Sequence, residues 1–409
     1  MIMSIEELRS CFPQLGVRVY GKPLVYLDNA ATSLRPRSVL DRWYELSSSC
    51  SANLHRAVHK IAADATQQYE DAREAVRTFL NAESKSEIIF TSGTTHSINL
   101  VAYSFSEAYI REGDEVIVCE CEHHSDIVPW QCACDRKGAT LKVLPVDEDG
   151  YPRLDVLESL LSDRTRILCI AQISNVLGLE NPVEEIVNIC HSKGCKVLVD
   201  GAQGVLHSCA DVRKLGCDFY AFSGHKLFAA PGTGVLYGRR ELLEEMPPFL
   251  GGGEMIGNVS FARTSFAPLP QKFEAGTQNI SGTPTLVQGI EMLEAMKDKQ
   301  IQCEYEAVRD YVLKALTEDG RIRLFGVPRG TSDKVALFSF AVEGAHHEDL
   351  ALILDKMGVA VRSGQMCAEP LMDRYGVTGM VRASFLPYNT LEEAEYFIKS
   401  LDRAIDMLK

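Results

Sequence analysis

We predict an α/β fold in which a large domain carries a mostly parallel sheet flanked by helices, and a smaller C-terminal α/β domain follows. Short apolar runs rich in β-branched residues alternate with segments of helical periodicity, and this alternation indicates parallel strands covered on both faces. The chain has 409 residues, which is longer than the chain that a single hydrophobic core usually organises. We therefore expect a large domain at 25–299 and a small domain formed by 1–24 and 300–409.

The predicted strands of the large domain follow one another along the chain. They are Ile88–Phe90, Val116–Cys119, Leu141–Val146, Ile167–Ile173, Val197–Val199, Phe219–Phe222 and Val235–Tyr237. Helical patterns lie between many of them, as at Ser97–Ile110 and Val183–Lys193. The segment Phe266–Pro284 is rich in Gly, Pro, Thr and Asn, so we predict a loop there.

The small domain is predicted from a helical stretch followed by three further apolar runs. The helical stretch spans Thr285–Thr317, and the strands are Val335–Val342, Val359–Arg362 and Val381–Phe385. Helical patterns separate these strands, so the second domain is also α/β.

Composition excludes several classes of protein. A net charge of −14 argues against a nucleic-acid partner, because phosphate binding needs clustered Lys and Arg. No apolar stretch approaches the roughly 18 residues of a membrane span. The start, MIMSIEELRSCF, lacks the apolar core of a signal peptide. Thirteen cysteines without a secretion signal indicate free thiols, so we expect a cytoplasmic protein that binds neither nucleic acid nor membrane.

A carboxylate and a lysine follow two neighbouring predicted strands. Asp200 ends the run Val197–Val199, and Lys226 comes just after Phe219–Phe222. Pyridoxal phosphate needs both groups: a lysine that bonds its aldehyde, and an acid that keeps its ring nitrogen protonated. Either residue alone is better explained as an ordinary strand end. Together they indicate a pyridoxal phosphate site.

The phosphate of such a cofactor needs hydrogen-bond donors. After Ile88–Phe90 comes the turn Thr91-Ser92-Gly93-Thr94-Thr95, and a helical pattern follows. A helix N-terminus with free N–H groups and hydroxyls binds anions, although Ser and Thr also favour plain helix caps. Ser223 and His225, close to Lys226, are candidates for the same phosphate.

A histidine follows the strand Val116–Cys119. His123 there is a candidate to stack on a flat ring or to act as acid or base. The alternative is zinc, with ligands among Cys119, Cys121, His123, His124, Cys132 and Cys134. Zinc sites usually space cysteines as C-x₂₋₄-C, whereas both pairs here are C-x-C. We therefore predict no metal, and small core side chains for most of these cysteines.

Two more candidates lie near the C-terminus. Cys367 is in a predicted loop before Pro370, a position where a reactive thiol would be exposed. The alternative is that one of thirteen cysteines lies in this loop by chance, without a function. Arg382 suits bidentate binding of a substrate carboxylate, or equally a surface salt bridge.

Taken together, these motifs resemble the class II (SUF-type) cysteine desulfurases, a branch of the fold-type I pyridoxal phosphate enzymes close to the selenocysteine lyases and cysteine sulfinate desulfinases. The matching motifs cover nearly the whole chain. They are YLDNAAT (26–32), NLHRAVH (53–59), SGTTHSINLVA (92–102), EHHSDIVPW (122–130), ISNVLG (173–178), VDGAQ (199–203), FSGHKL (222–227), FEAGTQN (273–279), RSGQMCAEPLM (362–372) and VRAS (381–384).

The resemblance implies a role for each candidate. Lys226 carries the cofactor, Asp200 pairs with its ring nitrogen, His123 stacks on the ring and Cys367 accepts sulfur. The cofactor-binding set implied is Thr94, Thr95, His123, Asn175, Asp200, Gln203, Ser223, His225, Lys226, and Thr277 from a second subunit. The substrate-binding set implied is Ala30, His55, Arg56, Asn175 and Arg382.

The implied activity is conversion of L-cysteine to L-alanine, with sulfur left on Cys367 as a persulfide for iron–sulfur cluster assembly or another sulfur-transfer pathway. The resemblance also implies a homodimer and a sulfur-acceptor protein. Many family members have two histidines where this chain has Gln365 and Met366, which leaves selenocysteine and cysteine sulfinate open as substrates. An epimerase or kynureninase-like enzyme of this fold, and a non-catalytic cofactor-binding scaffold, are the rival interpretations.

Overall fold

The computed structural model describes residues 4–55, 58–330 and 333–408. Within them the helices are α1 (Ile5–Ser10), α2 (Arg37–Ser49), α3 (Lys60–Phe79), α4 (Thr94–Tyr109), α5 (Val128–Lys137), α6 (Leu154–Leu160), α7 (Val183–Ser192), α8 (Gly204–His207), α9 (Val212–Leu215), α10 (Arg240–Glu245), α11 (Leu286–Met296), α12 (Lys299–Glu318), α13 (His347–Lys356), α14 (Glu369–Tyr375) and α15 (Leu391–Leu408). The strands are β1 (Arg18–Val19), β2 (Lys22–Pro23), β3 (Val25–Tyr26), β4 (Ile88–Thr91), β5 (Glu115–Cys119), β6 (Thr140–Leu144), β7 (Thr165–Ala171), β8 (Lys196–Asp200), β9 (Phe219–Ser223), β10 (Gly234–Gly238), β11 (Ile256–Val259), β12 (Thr264–Phe266), β13 (Ile322–Phe325), β14 (Leu337–Val342), β15 (Val359–Ala360), β16 (Arg362–Gly364) and β17 (Met380–Ser384).

A seven-stranded sheet organises the larger part of the chain, and it confirms the predicted α/β fold. Its strand order is β4-β10-β9-β8-β7-β5-β6. The strands from β9 to β6 pair in parallel, whereas β10 is antiparallel to both β9 and β4. Side chains of one face pack with α4 and α5, and those of the other face with α3 and α7. Helices therefore cover both faces, which explains why the strand sequences are continuously apolar.

A second sheet has four antiparallel strands in the order β13-β14-β17-β16. Helices α12, α13 and α15 contribute to its core, together with Val25 and Leu27 from near the N-terminus. Short β3 pairs in parallel with β15. The domain boundaries at 25–299 and 300–409 stay a prediction.

Two elements of this region, each predicted as continuous, are divided into two in the structure. The helical stretch Thr285–Thr317 is two helices, because Asp298 caps a new helix by accepting a hydrogen bond from the Gln300 N–H. The strand Val359–Arg362 is divided at Val361, since β15 pairs with β3 while β16 pairs with β17. None of the described helices is long and apolar enough to cross a membrane.

The carboxyl ends of the parallel strands meet at one edge of the large sheet. Asp200 ends β8, Ser223 ends β9, and the chain after β5 and β7 leads to His123 and Asn175. In open parallel sheets ligands bind at this edge. Helix α4 begins there at Thr94. The topology thus assembles residues that lie far apart in sequence.

Candidate active site

A cavity of about 230 Å³ lies at this edge of the sheet. Most of the predicted site residues line it: Ala30, Thr94, Thr95, His123, Asn175, Asp200, Gln203, Ser223, His225, Lys226, Cys367 and Arg382. The remaining lining residues are Ala31, Ser125, Ala171, Ile173, Ala202, Arg362 and Met366. The cavity therefore joins the large sheet to the segment that carries Cys367.

Lys226 and Asp200 form the charged centre of the cavity. Burial lowers the pKa of Lys226 to about 8, and the nearby Asp200 carboxylate opposes this shift. Burial raises the pKa of Asp200, against the effect of Lys226 and of a hydrogen bond from the Ala202 N–H. A lysine with a lowered pKa retains a nucleophilic neutral amine near neutral pH.

Donors cluster at the N-terminus of α4. The Thr94 N–H donates to Ser223 Oγ at 2.8 Å, and the two hydroxyls lie 2.7 Å apart. The Thr95 hydroxyl contacts the Ser125 hydroxyl at 2.7 Å. The first backbone N–H groups of a helix and its macrodipole favour an anion at this position. The predicted phosphate donors Thr94, Thr95 and Ser223 are thus close together.

His225 and His123 are both partly buried and uncharged. Burial, followed by the charge of Lys226, lowers the pKa of each to about 4. The Ser125 N–H donates to His123 Nδ1 at 3.0 Å, which leaves the ring hydrogen on Nε2. A neutral imidazole at the cavity wall suits stacking on a flat ring better than a cationic one.

Arg382 is held from two sides and is 3% exposed. Its Nη1 donates to the Asn175 carbonyl at 2.8 Å, and its Nη2 to Asp28 Oδ1 at 3.3 Å. Arg382 Nε is buried and has no hydrogen-bond partner within the described residues. Arg362, opposite Arg382 in the β16–β17 register, lies 4.0 Å from Asp28. This arrangement offers an unused guanidinium donor to a carboxylate.

Cys367 is exposed at the cavity, whereas Met366 beside it is 5% exposed. The Cys367 thiol is close enough to affect the pKa of both Lys226 and Arg382. Asn175 Nδ2 donates to the Met366 carbonyl at 2.8 Å. The segment that carries Cys367 is therefore tied to the same turn that holds Arg382.

Two predicted site residues, Thr277 and His55, do not line this cavity. Thr277 lines a separate pocket with Tyr69 and Glu274. The His55 ring centroid is 6.3 Å from that of Tyr69, and His55 Nε2 is 3.8 Å from Glu70. Arg56 lies outside the described residues. The cavity therefore forms without His55 and Thr277 of the same chain.

The alternative zinc ligands are divided among different surroundings. In the described part of the chain, the ligand atoms of Cys119, Cys121 and Glu122 lie within 4.8 Å of one another. The two thiols contact each other at 3.4 Å, and one Glu122 oxygen accepts from the Ala171 N–H. Cys132 is exposed, and Cys134 packs in the core on the α4 side of the sheet. The six proposed ligands do not converge.

The donor set fits pyridoxal phosphate. Gln203 Oε1 and Arg382 Nε are both buried at the cavity and have no hydrogen-bond partner among the described residues. Both atoms are therefore available to bind a polar ligand. The cavity offers a lysine for an aldehyde, a buried carboxylate for a ring nitrogen, and a helix N-terminus with hydroxyls for a phosphate. These are the groups that this cofactor requires.

Comparison with known families decides the classification. A family model described as aminotransferase class-V matches residues 25–397. The chain belongs to the aminotransferase class-V family. Its members include pyridoxal phosphate enzymes such as the cysteine desulfurases described next, so the predicted cofactor and fold are confirmed.

Relatives within this family share one name. A probable cysteine desulfurase of Vibrio cholerae serotype O1 is 42% identical over 408 residues, covering 100% of both chains. A cysteine desulfurase of Escherichia coli O127:H6 is 43% identical over 405 residues and covers 98% of each chain. The crystal structure of the Escherichia coli cysteine desulfurase CsdA has a TM-score of 0.90 at 39% identity, covering 100% of both chains. The apo cysteine desulfurase of Thermococcus onnurineus NA1 has a TM-score of 0.92 at 35% identity over 98% of each chain.

Sequence reasoning missed three polar residues of this class-V site. Asp28 and Arg362 surround Arg382, and Ser125 contacts Thr95. Each lies within a motif that was recognised, but only strand pairing and turn geometry show that Arg362 and Ser125 line the cavity and that Asp28 binds Arg382. Their position within these motifs was the sequence feature that could have identified them as site residues.

Proposed function

We propose that this class-V enzyme is a cysteine desulfurase that converts L-cysteine to L-alanine and leaves the sulfur on Cys367 as a persulfide. One observation carries the proposal: Cys367, Lys226 and Arg382 line the same cavity. The names of the relatives at 42–43% identity support it.

The residues divide into a cofactor group and a substrate group. Lys226, Asp200 and His123 hold the pyridine ring, while Thr94, Thr95, Ser223 and His225 hold the phosphate, with Gln203 at the ring edge. Pyridoxal phosphate, when bound, supplies an electron sink for the bonds at the substrate Cα. Arg382 binds the substrate carboxylate, with Asn175 and Ala30 beside it, and Arg56 and His55 complete the set from the sequence resemblance.

Lys226 Nζ is the group that moves the Cα proton. Its pKa of about 8 allows the amine to accept a proton and return it near neutral pH. Arg382 fixes the carboxylate, which orients the Cα–H bond relative to Nζ. His123 stays neutral and does not compete for this proton, because its pKa is about 4.

Cys367 captures the sulfur as a thiolate. An S–S bond forms between Cys367 Sγ and the substrate sulfur while the substrate Cβ–S bond breaks. The electron pair of that bond stays with the carbon fragment, whose Cβ takes up a proton and becomes the methyl group of alanine. One cysteine and one thiol thus give one alanine and one persulfide.

The assay that tests this function measures alanine and sulfide from L-cysteine with purified enzyme and a reductant. Production of both, and loss of both in Cys367→Ala, is the expected result. An epimerase or kynureninase-like enzyme would not depend on Cys367, and a scaffold would give neither product. Selenocysteine and cysteine sulfinate release their leaving groups more readily, so Cys367→Ala should retain much of the activity with either.

We also propose a homodimer with shared active sites, an acceptor protein that removes the persulfide, and a cytoplasmic location. The separation of Thr277 and His55 from the cavity of their own subunit supports sharing. Heterodimers of inactive Lys226→Ala and an inactive bulky variant at Thr277 should regain part of the activity. Verified heterodimers that stay inactive would contradict sharing.

A further inference from the structure

The segment that carries Cys367 has a backbone that requires support. Met366 and Cys367 have φ values of 53° and 56°, in the left-handed region that residues other than glycine rarely adopt. Two such residues in succession keep this conformation only where surrounding contacts hold it. The contacts of this segment therefore determine where the thiol is placed.

His124 holds this segment at two points. Its backbone N–H donates to the Cys367 carbonyl at 2.7 Å. Its ring Nε2 accepts from the Glu369 N–H at 2.9 Å, at the first residue of α14. One bond fixes the cysteine itself, and the other fixes the point where the loop becomes a helix.

The adjacent histidines His123 and His124 face different parts of the site. His123 lines the cofactor cavity, whereas the ring of His124 binds the loop after Cys367. Their ring centroids lie 6.4 Å apart at the start of a 3₁₀ turn, His124–Asp126. This short turn after β5 thus connects the cofactor wall to the sulfur acceptor.

We propose that His124 is a positioning residue for sulfur transfer, which holds Cys367 where its thiolate reaches the substrate sulfur. The proposal rests on the function proposed above. The ring of His124 reaches neither Lys226 nor Arg382 in a hydrogen bond, so binding and proton transfer at Cα do not depend on it.

The test compares two substrates in His124→Ala. L-cysteine needs capture of its sulfur by Cys367, whereas L-cysteine sulfinate releases sulfur dioxide without an acceptor thiol. We expect kcat with cysteine to fall about 10–100-fold, as small misplacements of reacting groups do, with KM unchanged. Alanine formation from cysteine sulfinate should stay at the wild-type rate. The alanine variant keeps the backbone N–H, so the loss reports the ring alone.

A second variant and a second measurement separate positioning from general destabilisation. His124→Gln retains an acceptor for the Glu369 N–H and should recover part of the cysteine activity. Hydrogen exchange of the Glu369 amide should be faster in His124→Ala than in the wild type, and less so in His124→Gln. The matched control is His346→Ala, since His346 Nδ1 also accepts from a helical N–H, that of Glu348 at 3.4 Å. It should change neither substrate's rate.

Three results would overturn the proposal. They are an unchanged cysteine rate in His124→Ala, an equal loss with both substrates, and unchanged exchange of the Glu369 amide. Absence of the cysteine reaction from the wild-type enzyme would instead be a failure of the proposed function. The wild-type assay therefore distinguishes the two failures.

Discussion

Replacing Arg382 by leucine should remove the substrate-carboxylate site and leave the cofactor site intact. Arg382 lies on β17, in the sheet of the smaller part, and its buried Nε has no partner within the described residues. Nη2 is held only at 3.3 Å by Asp28. The edge formed by Nε and Nη2 is therefore the one that we expect to bind a carboxylate bidentately.

The magnitude follows from these two donors. A hydrogen bond to a charged group contributes about 1.5–3 kcal/mol, so two contribute about 3–6 kcal/mol. Since about 1.4 kcal/mol is a factor of ten, kcat/KM for L-cysteine should fall about 10²–10⁴-fold in Arg382→Leu. Arg382→Lys keeps the charge but not the planar fork, so its loss should be intermediate.

Steady-state kinetics with L-cysteine and the cofactor absorbance band together test this prediction. The band should persist in both variants, because Arg382 does not belong to the group that holds the cofactor. Arg323→Leu is the matched control, since Arg323 lies in the same sheet and donates to the Tyr375 carbonyl away from the cavity. A loss below tenfold in Arg382→Leu would refute the assignment.

Two further predictions concern Lys226, the lysine proposed to bind the cofactor, and a buried ion pair. Because burial lowers the pKa of Lys226 to about 8, cofactor uptake by apoprotein should speed up as the pH rises through about 8 and then level off; a flat rate profile, followed by absorbance, would contradict this. Glu274→Gln should lower the free energy of unfolding by about 3–5 kcal/mol in urea titrations, because Arg73, fully buried and bound to Glu274 at 2.7 and 2.9 Å, would lose its buried carboxylate and keep only the more exposed Glu70, at 3.1 Å, as an anionic partner. A change below about 1 kcal/mol would show that Arg73 finds compensation elsewhere.

The large sheet was predictable because most of its strands, unlike the edge strand β6, are buried on both faces. All residues of β9 and β10 are buried, so their sequences are continuous apolar runs with clear ends. The small sheet was less predictable. The two segments β15 and β16 are adjacent in sequence but pair with different strands, which no local pattern encodes.

The site residues also fall into a group that was predictable from sequence and a group that was not. Asp200, Ser223 and Thr94 lie at strand ends or at a helix start, where local pattern and general rules place ligand-binding groups. Asp28 and His124 act through contacts with residues more than 200 positions away, at Arg382 and Glu369. Such contacts depend on how the two sheets pack, so the sequence reveals the motif but not the partner.

Mass spectrometry of the enzyme after treatment with L-cysteine tests the central claim most directly. The account predicts one added sulfur on the peptide that contains Cys367, removed by reductant and absent when cysteine sulfinate is the substrate. Cys367→Ala should show no added sulfur and form no alanine from cysteine. Sulfur on Cys119, Cys121, Cys132 or Cys134 instead, or full cysteine activity in Cys367→Ala, would contradict the account.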